Sequence, residues 1–254
     1  MLLAAIVLQA SVAGFSPPLD APMRVVTERR DDARVYRMER ALRFLREGEG
    51  YRAEVTLRTA TGDTADTSGA LYEAGFGAFA GRTILFHLDR AGAVTAIDEM
   101  PALWDRFCQR VAESAAARRT LSPPEREKLA ARIAAPLRAM PAERQRAMLS
   151  SLVLAVIPDE AMTPGSAPVR LPGRSTHGGT APLNGMRTVT TLPGGYMRST
   201  VNATGEGVTL ERVTEMDSRT GLITRNSKTL RIRAGGLEKV STTLLTVEPV
   251  ADGN

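Results

Sequence analysis

The sequence is poor in the residue types that build disulfide frameworks, metal centres and aromatic binding surfaces. It contains one cysteine, Cys108, two histidines, His87 and His177, and 4% aromatic residues. A single cysteine excludes an internal disulfide and a multi-cysteine metal site. Two histidines are too few for a histidine-rich metal centre, so neither a metal nor another cofactor is expected.

The remaining composition is that of an ordinary globular chain. Of the 254 residues, 43% are hydrophobic and 24% are charged, with 22 glycines and 15 prolines. These values exclude a disordered, a collagen-like or a multi-span membrane protein. A chain of this length buries a sizeable core, as one large domain or as two small ones.

The N-terminus has the features of a secretory signal. Residues 1–15 (MLLAAIVLQASVAGF) carry no charge and are too few to span a bilayer, which needs about 20 apolar residues. The small residues Ser11 and Ala13 predict cleavage after Ala13, which removes 1–13 and exports the protein. Because no Lys or Arg precedes the apolar run, two alternatives stay open: a start upstream of Met1, or a buried N-terminal helix of a cytosolic protein.

Alternating apolar and polar residues predict antiparallel strands within 14–99. The clearest alternation runs over 51–58, which indicates one buried and one solvent-exposed face. Arg40 interrupts the apolar face of the preceding run. Turn signals at 47–50 and 89–92 separate the runs. The predicted strands in this part are 35–46, 51–58, 84–88 and 94–97.

The pattern becomes helical over 100–157. Trp104 and Phe107 lie on one apolar stripe of the first predicted helix. Cys108 falls on the same stripe, so we expect it to be buried and unreactive.

Two further helices are predicted in the same region. Ser122 and Glu125 form a capping box that predicts a helix start, and Pro136 is expected to kink or end that helix. The third helix presents Met148 and Leu152 on its apolar side.

A stretch rich in Pro, Gly, Ser and Thr then separates the helices from a second strand-rich region. We expect about five strands before the helices and about five after them. The fold class is therefore α+β: two antiparallel segments flanking a central three-helix block, with one curved sheet around the helices as an alternative. The segments are a signal peptide (1–13), an N-terminal β segment (14–99), helices (100–157), a linker (158–184) and a C-terminal β segment (185–254).

The net charge of +5 comes from 33 basic and 28 acidic residues, and the excess is concentrated on the helices. Residues 100–157 hold 10 basic and 5 acidic side chains. The favoured interpretation is a solvated arginine-rich face, with an anionic membrane surface as the alternative partner. Nucleic acid is not expected, because export, few aromatic residues and the lack of a reader motif all oppose it.

Signals for catalysis are weak. Ser175 and His177 stand two residues apart in a glycine-rich loop, but no third group that would orient them is identifiable. His87 is expected on the solvent face of a strand. Asp98 and Glu99 adjoin the first helix, where carboxylates complement the helix dipole. No catalytic residue is therefore assigned, and the chain is not expected to be an enzyme.

One hairpin carries a family likeness. Residues 215–223 (EMDSRTGLI) contain the pattern D-x-x-T-G-L and, together with the signal peptide, antiparallel strands and intervening helices, resemble the LolA-like half-barrel proteins of the bacterial periplasm. The resemblance implies a curved sheet around helices with an apolar interior that holds acyl chains. It transfers no functional residue by position.

The function expected from the sequence is non-enzymatic binding of a lipophilic ligand between sheet and helices. Its candidate lining residues are Trp104, Phe107, Met148 and Leu152. The alternative is an envelope scaffold or protein-interaction module with a solid core, whose protein partner is unknown. A Ser175/His177 hydrolase is the third and least supported hypothesis.

Overall fold

The computed structural model describes residues 14–31, 34–62, 74–174 and 180–250, and in them an antiparallel sheet dominates. The sheet has eleven strands in this described part. Their bounds are β1 Met23–Asp31, β2 Arg34–Glu47, β3 Gly50–Gly62, β4 Thr83–Leu88, β5 Val94–Ile97, β6 Gly165–Arg174, β7 Thr180–Leu192, β8 Tyr196–Gly205, β9 Val208–Asp217, β10 Leu222–Ala234 and β11 Leu237–Pro249.

Helices occupy the chain between β5 and β6, as the periodicity predicts. They are α1 Met100–Ala116, α2 Pro123–Arg138 and α3 Ala142–Leu154, and short 3-10 turns cover Gly77–Phe79 and Pro193–Gly195. None of the helices in the described residues combines the length and the apolar character needed to cross a bilayer.

The two strand-rich regions are joined in one sheet rather than forming two separate segments. The strand order is β5-β4-β3-β2-β1-β11-β10-β9-β8-β7-β6, so the first and last strands of the chain are neighbours. Val25 of β1 stands opposite Val247 of β11. This pairing covers two edges that would otherwise expose unpaired backbone groups. The antiparallel, sheet-dominated α+β prediction is confirmed, while the division into two β segments of about five strands is corrected to one sheet with five strands before the helices and six after them.

The predicted linker at 158–184 is largely strand. Gly165–Arg174 forms β6, and β7 begins at Thr180. Pro168 and Pro172 led to the prediction of a linker, because proline has no backbone N–H to donate to a neighbouring strand inside a sheet. Here both prolines lie in β6, an edge strand of the sheet, where proline is tolerated.

The predicted start of α2 is confirmed in detail. The Ser122 backbone N–H donates to Glu125 Oε2 at 3.0 Å, and the Ser122 hydroxyl donates to the same oxygen at 2.5 Å. Pro136 lies in the last turn, and the helix ends two residues after it at Arg138. The lost proline hydrogen bond therefore falls where the helix is already ending.

Asp-initiated turns close two hairpins where the sequence predicts them. Asp89 Oδ1 accepts hydrogen bonds from two backbone N–H groups of its own turn, and Gly92 has a φ of 86°. In the D-x-x-T-G-L hairpin, Gly221 has a φ of 69° and its N–H donates to the Asp217 carbonyl at 2.8 Å. Both glycines occupy the left-handed region that side chains disfavour.

One face of the sheet, called here the inner face, carries the core. Val25, Leu42 and Val55 point from β1, β2 and β3 into a cluster that also includes residues of α1 and α3. The opposite, outer face is polar, so each strand alternates as a half-buried sheet requires.

Candidate functional site

The structure brings the four predicted ligand-lining residues into one packed core. Trp104, Phe107 and Leu152 are 3%, 0% and 1% exposed, and Met148 is half-buried against the same cluster. They meet because α1 and α3 both pack their apolar stripes on the inner face. Their close packing fits a filled core better than the wall of a cavity.

Aromatic contacts fill the space around Phe107. Its ring stacks on Trp104 at a centroid distance of 5.2 Å and on Phe79 at 6.4 Å. The Trp104 indole N–H donates to the Leu137 carbonyl at 3.0 Å, which satisfies its polar atom. A Cβ added at Gly75 would stand only 2.6 Å from the Phe107 ring.

Cys108 behaves as the sequence predicts. It is buried, and desolvation raises the pKa of its thiol to about 11. A thiol with so high a pKa is almost entirely protonated near neutral pH and is a poor nucleophile.

A small pocket lies where the chain leaving α3 meets the inner face of the C-terminal strands. Its volume is about 170 Å³. None of the four predicted residues lines it. Its walls are Leu154, Ala155, Ile157, Pro158, Asp159, Glu160 and Met162 from the segment after α3, and Arg187, Ser199, Arg212, Thr214, Ile223 and Asn226 from the sheet.

Beside this pocket, basic residues stand in line across the inner face. Arg187 of β7, which pairs with Glu160, begins the line and is separated from Arg212 by Val201 of β8. The strand register places Arg212 of β9 opposite Lys228 of β10, Lys228 opposite Thr243 of β11, and Thr243 opposite Arg29 of β1. Neighbouring strands lie about 4.8 Å apart, so these side chains share one band of the face. We call Arg212, Lys228 and Arg29 the cationic row.

The cationic row is only partly neutralised. Arg212 pairs with Asp159 at 3.6 Å, and Arg29 pairs with Asp31 at 2.9 Å. The Lys228 ammonium makes no hydrogen bond or ion pair with any residue in the described ranges. Desolvation lowers the pKa of Lys228, and repulsion from Arg212 and Arg29 lowers it further, although the side chain still reaches solvent.

Arginines on the outer face are placed differently. Each of several outer-face arginines stands directly opposite a glutamate of the next strand, with charged atoms 2.5 to 2.8 Å apart. These pairs are Arg37 with Glu28, Arg43 with Glu54, Arg198 with Glu215, and Arg233 with Glu238. Opposite charges across strands stabilise a sheet and like charges destabilise it. The Arg212–Lys228 pairing, cation opposite cation, is the reverse of these four pairs.

Another inner-face cation, Arg40, is fully buried. Its guanidinium donates to the Thr27 hydroxyl at 3.2 Å, while Nε and Nη2 have no hydrogen-bond partner among the described residues. Desolvation lowers its pKa to about 10, against a smaller opposing effect of Tyr36. A buried charge without a carboxylate is costly, so this position is not explained by stability.

His87 lies between two carboxylates on the outer face. Nδ1 is 2.5 Å from Glu47 and Nε2 is 2.9 Å from Asp98. The histidine that was expected to face solvent is thus half-buried. Asp98 is hydrogen-bonded to it, a contact that the position of Asp98 next to the N-terminus of α1 did not predict. Both hydrogen bonds, the one with Asp98 first, raise the pKa of His87. Glu99 is the N-cap residue of α1 but makes no side-chain capping bond.

Ser175 and His177 lie outside the described residues, so the hydrolase hypothesis remains a prediction from sequence. Across the ranges that are described, no group of three or more His, Cys, Asp and Glu side chains is arranged to hold a metal ion.

The cationic row is the feature that sequence reasoning missed. Arg29, Lys228 and Arg212 come from strands far apart in the chain, and only the β1–β11 pairing brings them together. Within each strand they look like ordinary polar positions. The one signal available was the alternation of the strands, which puts Arg29 on the same face as the buried Val25 and Arg212 on the same face as Leu210.

Comparisons with known proteins identify no relative of this chain. A scan against protein-family models matches none, and searches of curated proteins and of solved structures find no match.

Proposed function

We propose that the chain is a non-enzymatic periplasmic protein that binds a lipophilic ligand between the sheet and the segment that follows α3. The observation that carries the proposal is the pocket of about 170 Å³ at this junction, which continues into the inner face of β7–β10. The site differs from the predicted Trp104 stripe because that stripe is already filled by packing.

Apolar surface on the C-terminal strands supports this location. Leu183, Ala203, Val208 and Leu210 form a buried cluster to which no helix of the described residues contributes. A second cluster, Met162, Val189, Met197 and Met216, borders the pocket. Strands that bury such side chains without a helix must bend toward one another, which favours one curved sheet partly wrapped around the helices.

Close backbone approach at a glycine supports the same bend. A Cβ at Gly185 would meet the Asn202 carbonyl oxygen at 1.9 Å. Glycine inside a strand commonly marks such a close approach. The likeness of the 217–222 hairpin to LolA-like proteins agrees with a curved sheet, and export through residues 1–13 remains the expected route to the periplasm.

The exposed basic face of α1 provides a second contact surface in this proposal. It carries Arg106 and Arg110. Anionic lipid head groups are the partner that such a surface attracts.

The second candidate function is an envelope scaffold with a solid core. The stacked Trp104 and Phe107 rings favour it, because the helix-covered half of the molecule is filled. Under this hypothesis the junction pocket is a packing defect and holds water.

Native mass spectrometry of the protein purified from its host envelope distinguishes the two candidates. We expect a bound mass that organic solvent extracts as a lipid. Trp104 fluorescence should change little when fatty acid or phospholipid is added, because the proposed ligand does not touch the indole. A protein that carries no lipid from its host and takes up none in solution would leave the scaffold as the function.

A further inference from the structure

We propose that the cationic row is the head-group site for an amphiphile with a single-chain apolar tail and an anionic end, such as a long-chain carboxylate. This inference rests on the proposed function and names the chemical class of its ligand. The ligand's charged end would lie at Lys228, between Arg212 and Arg29.

The first argument is the placement of charge. The sheet pairs arginine with glutamate repeatedly on its outer face but sets Arg212 directly opposite Lys228 on its inner face. A fold gains nothing from facing two cations across a ladder. An anion between them would convert the repulsion into two charge-assisted hydrogen bonds.

The second argument is the set of hydrogen-bond donors that the row leaves free. Lys228 is exposed and has no partner in the described part of the chain. Arg212 has a single long ion pair, with an Asp159 carboxylate that is 75% exposed. The ammonium and the guanidinium therefore keep N–H donors that an anionic head group would accept from.

The third argument is the apolar surface on one side of the row. On β10, the half-buried Leu230 and Ile232 follow Lys228 by two and four residues on the same face and pack against the buried Leu210 of β9. A free inorganic anion would need none of this surface, whereas an alkyl chain attached to the anion would cover its exposed part.

The test uses the three lysines of the sequence, Lys128, Lys228 and Lys239. Reductive ¹³C-methylation retains their charge and gives each lysine an NMR signal whose pH titration reports its pKa. The probes are dodecanoate, the neutral 1-dodecanol and inorganic phosphate, with the full mature chain. Lys228→Met identifies the NMR signal of Lys228 by its disappearance and also removes the charge. Lys128→Met, at an exposed helical lysine, is the matched control.

We expect dodecanoate to raise the pKa of Lys228 and to leave that of Lys128 unchanged. Lys228→Met should weaken dodecanoate binding about tenfold or more, since a charge-assisted hydrogen bond is lost. It should leave dodecanol binding within about twofold, and Lys128→Met should change neither.

Three outcomes would overturn the inference, and they separate it from the proposed function. If dodecanol binds as well as dodecanoate and Lys228→Met affects neither, the protein binds lipids but the row is not the head-group site. If phosphate raises the pKa of Lys228 as strongly as dodecanoate does, the row binds anions but no apolar tail. If no probe binds, the proposed function fails together with the inference.

Discussion

The two halves of the inner face differ in what covers them. Over β1–β4, α1 brings stacked aromatic rings and α3 brings aliphatic side chains, and Val25, Val55 and Phe107 are entirely buried. Over β7–β10, the covering layer is the short segment after α3, and it leaves a pocket beside charged residues. The same sheet therefore has one half that is filled by packing, apart from the buried Arg40, and one half that keeps a pocket.

This contrast shows why an apolar helical stripe is an unreliable indicator of a ligand site. Trp104 and Phe107 looked like cavity walls because they are large and amphipathically placed. In the structure they are core residues. What separates the two halves is the helical cover over β1–β4 and the pocket over β7–β10.

Truncation of Phe107 should have the largest effect. Phe107→Ala removes a fully buried ring from a stacked cluster, so we expect a loss of about 3–5 kcal/mol in the free energy of unfolding, measured by urea denaturation. Leu230→Ala, at a half-buried position of the open half, is the comparison and should cost clearly less. Similar losses at both positions would remove the distinction between the halves.

Gly185→Ala tests the close approach of β7 and β8. The added Cβ would meet backbone atoms of β8, so we expect a loss of about 1–3 kcal/mol by the same measurement. Gly77→Ala is the matched control, because its nearest neighbour would be 4.0 Å away. If Gly185→Ala is as mild as the control, the sheet is not tightly bent there.

The N-terminal cap of α2 should contribute a moderate amount to the free energy of unfolding. Ser122→Ala breaks the capping box with Glu125 and should lower the free energy of unfolding by about 0.5–2 kcal/mol. Ser151→Ala, within α3, is expected to stay within about 0.5 kcal/mol. An effect at Ser122 no larger than this would show that the cap does not anchor the helix.

Lys228→Met should make the protein more stable. Removing one of two opposed cations is expected to raise the free energy of unfolding by about 0.2–1 kcal/mol at low salt, and the gain should shrink as added salt screens the repulsion. Lys128→Met serves again as the control. A loss of stability at Lys228 would mean that the ammonium has a structural partner and would weaken the functional interpretation of the row.

The smallest effect should come from His87. Its pKa is raised in the folded protein, so its stabilising contribution is complete below the unfolded pKa of about 6.5 and is lost as pH rises through the folded pKa. Because the side chain is partly exposed, we expect less than about 1 kcal/mol. Denaturation midpoints of His87→Gln and the parent chain, compared from pH 5 to about 9, should converge at the alkaline end. If the two midpoints keep a constant difference over this pH range, the raised pKa of His87 is contradicted.

Local sequence signals recovered much of the fold. The alternation over 51–58 predicted β3, and Ser122 with Glu125 marked the start of α2, because each depends on neighbours a few residues away. β6 was missed because its prolines are compatible with a strand only at a sheet edge, and a strand's place in the sheet is not a local property.

The candidate site was not predictable in the same way. Arg40 stood out as a break in an apolar pattern, but its complete burial depends on the strands and helices around it. Lys228 and Arg29 are nearly 200 residues apart, and their approach requires β10 and β1 both to pair in register with the intervening β11.

By itself, the sequence determined the types of most elements, the turns at Asp89 and Asp217, and the apolar stripes of the helices, since backbone preferences and periodicity act over one or two turns. Tertiary structure alone decided that both strand regions form one sheet, which stripe is filled, and which cations face one another. Those outcomes depend on the β1–β11 pairing and on the packing of α1 and α3, because charge and burial are set by neighbours in space.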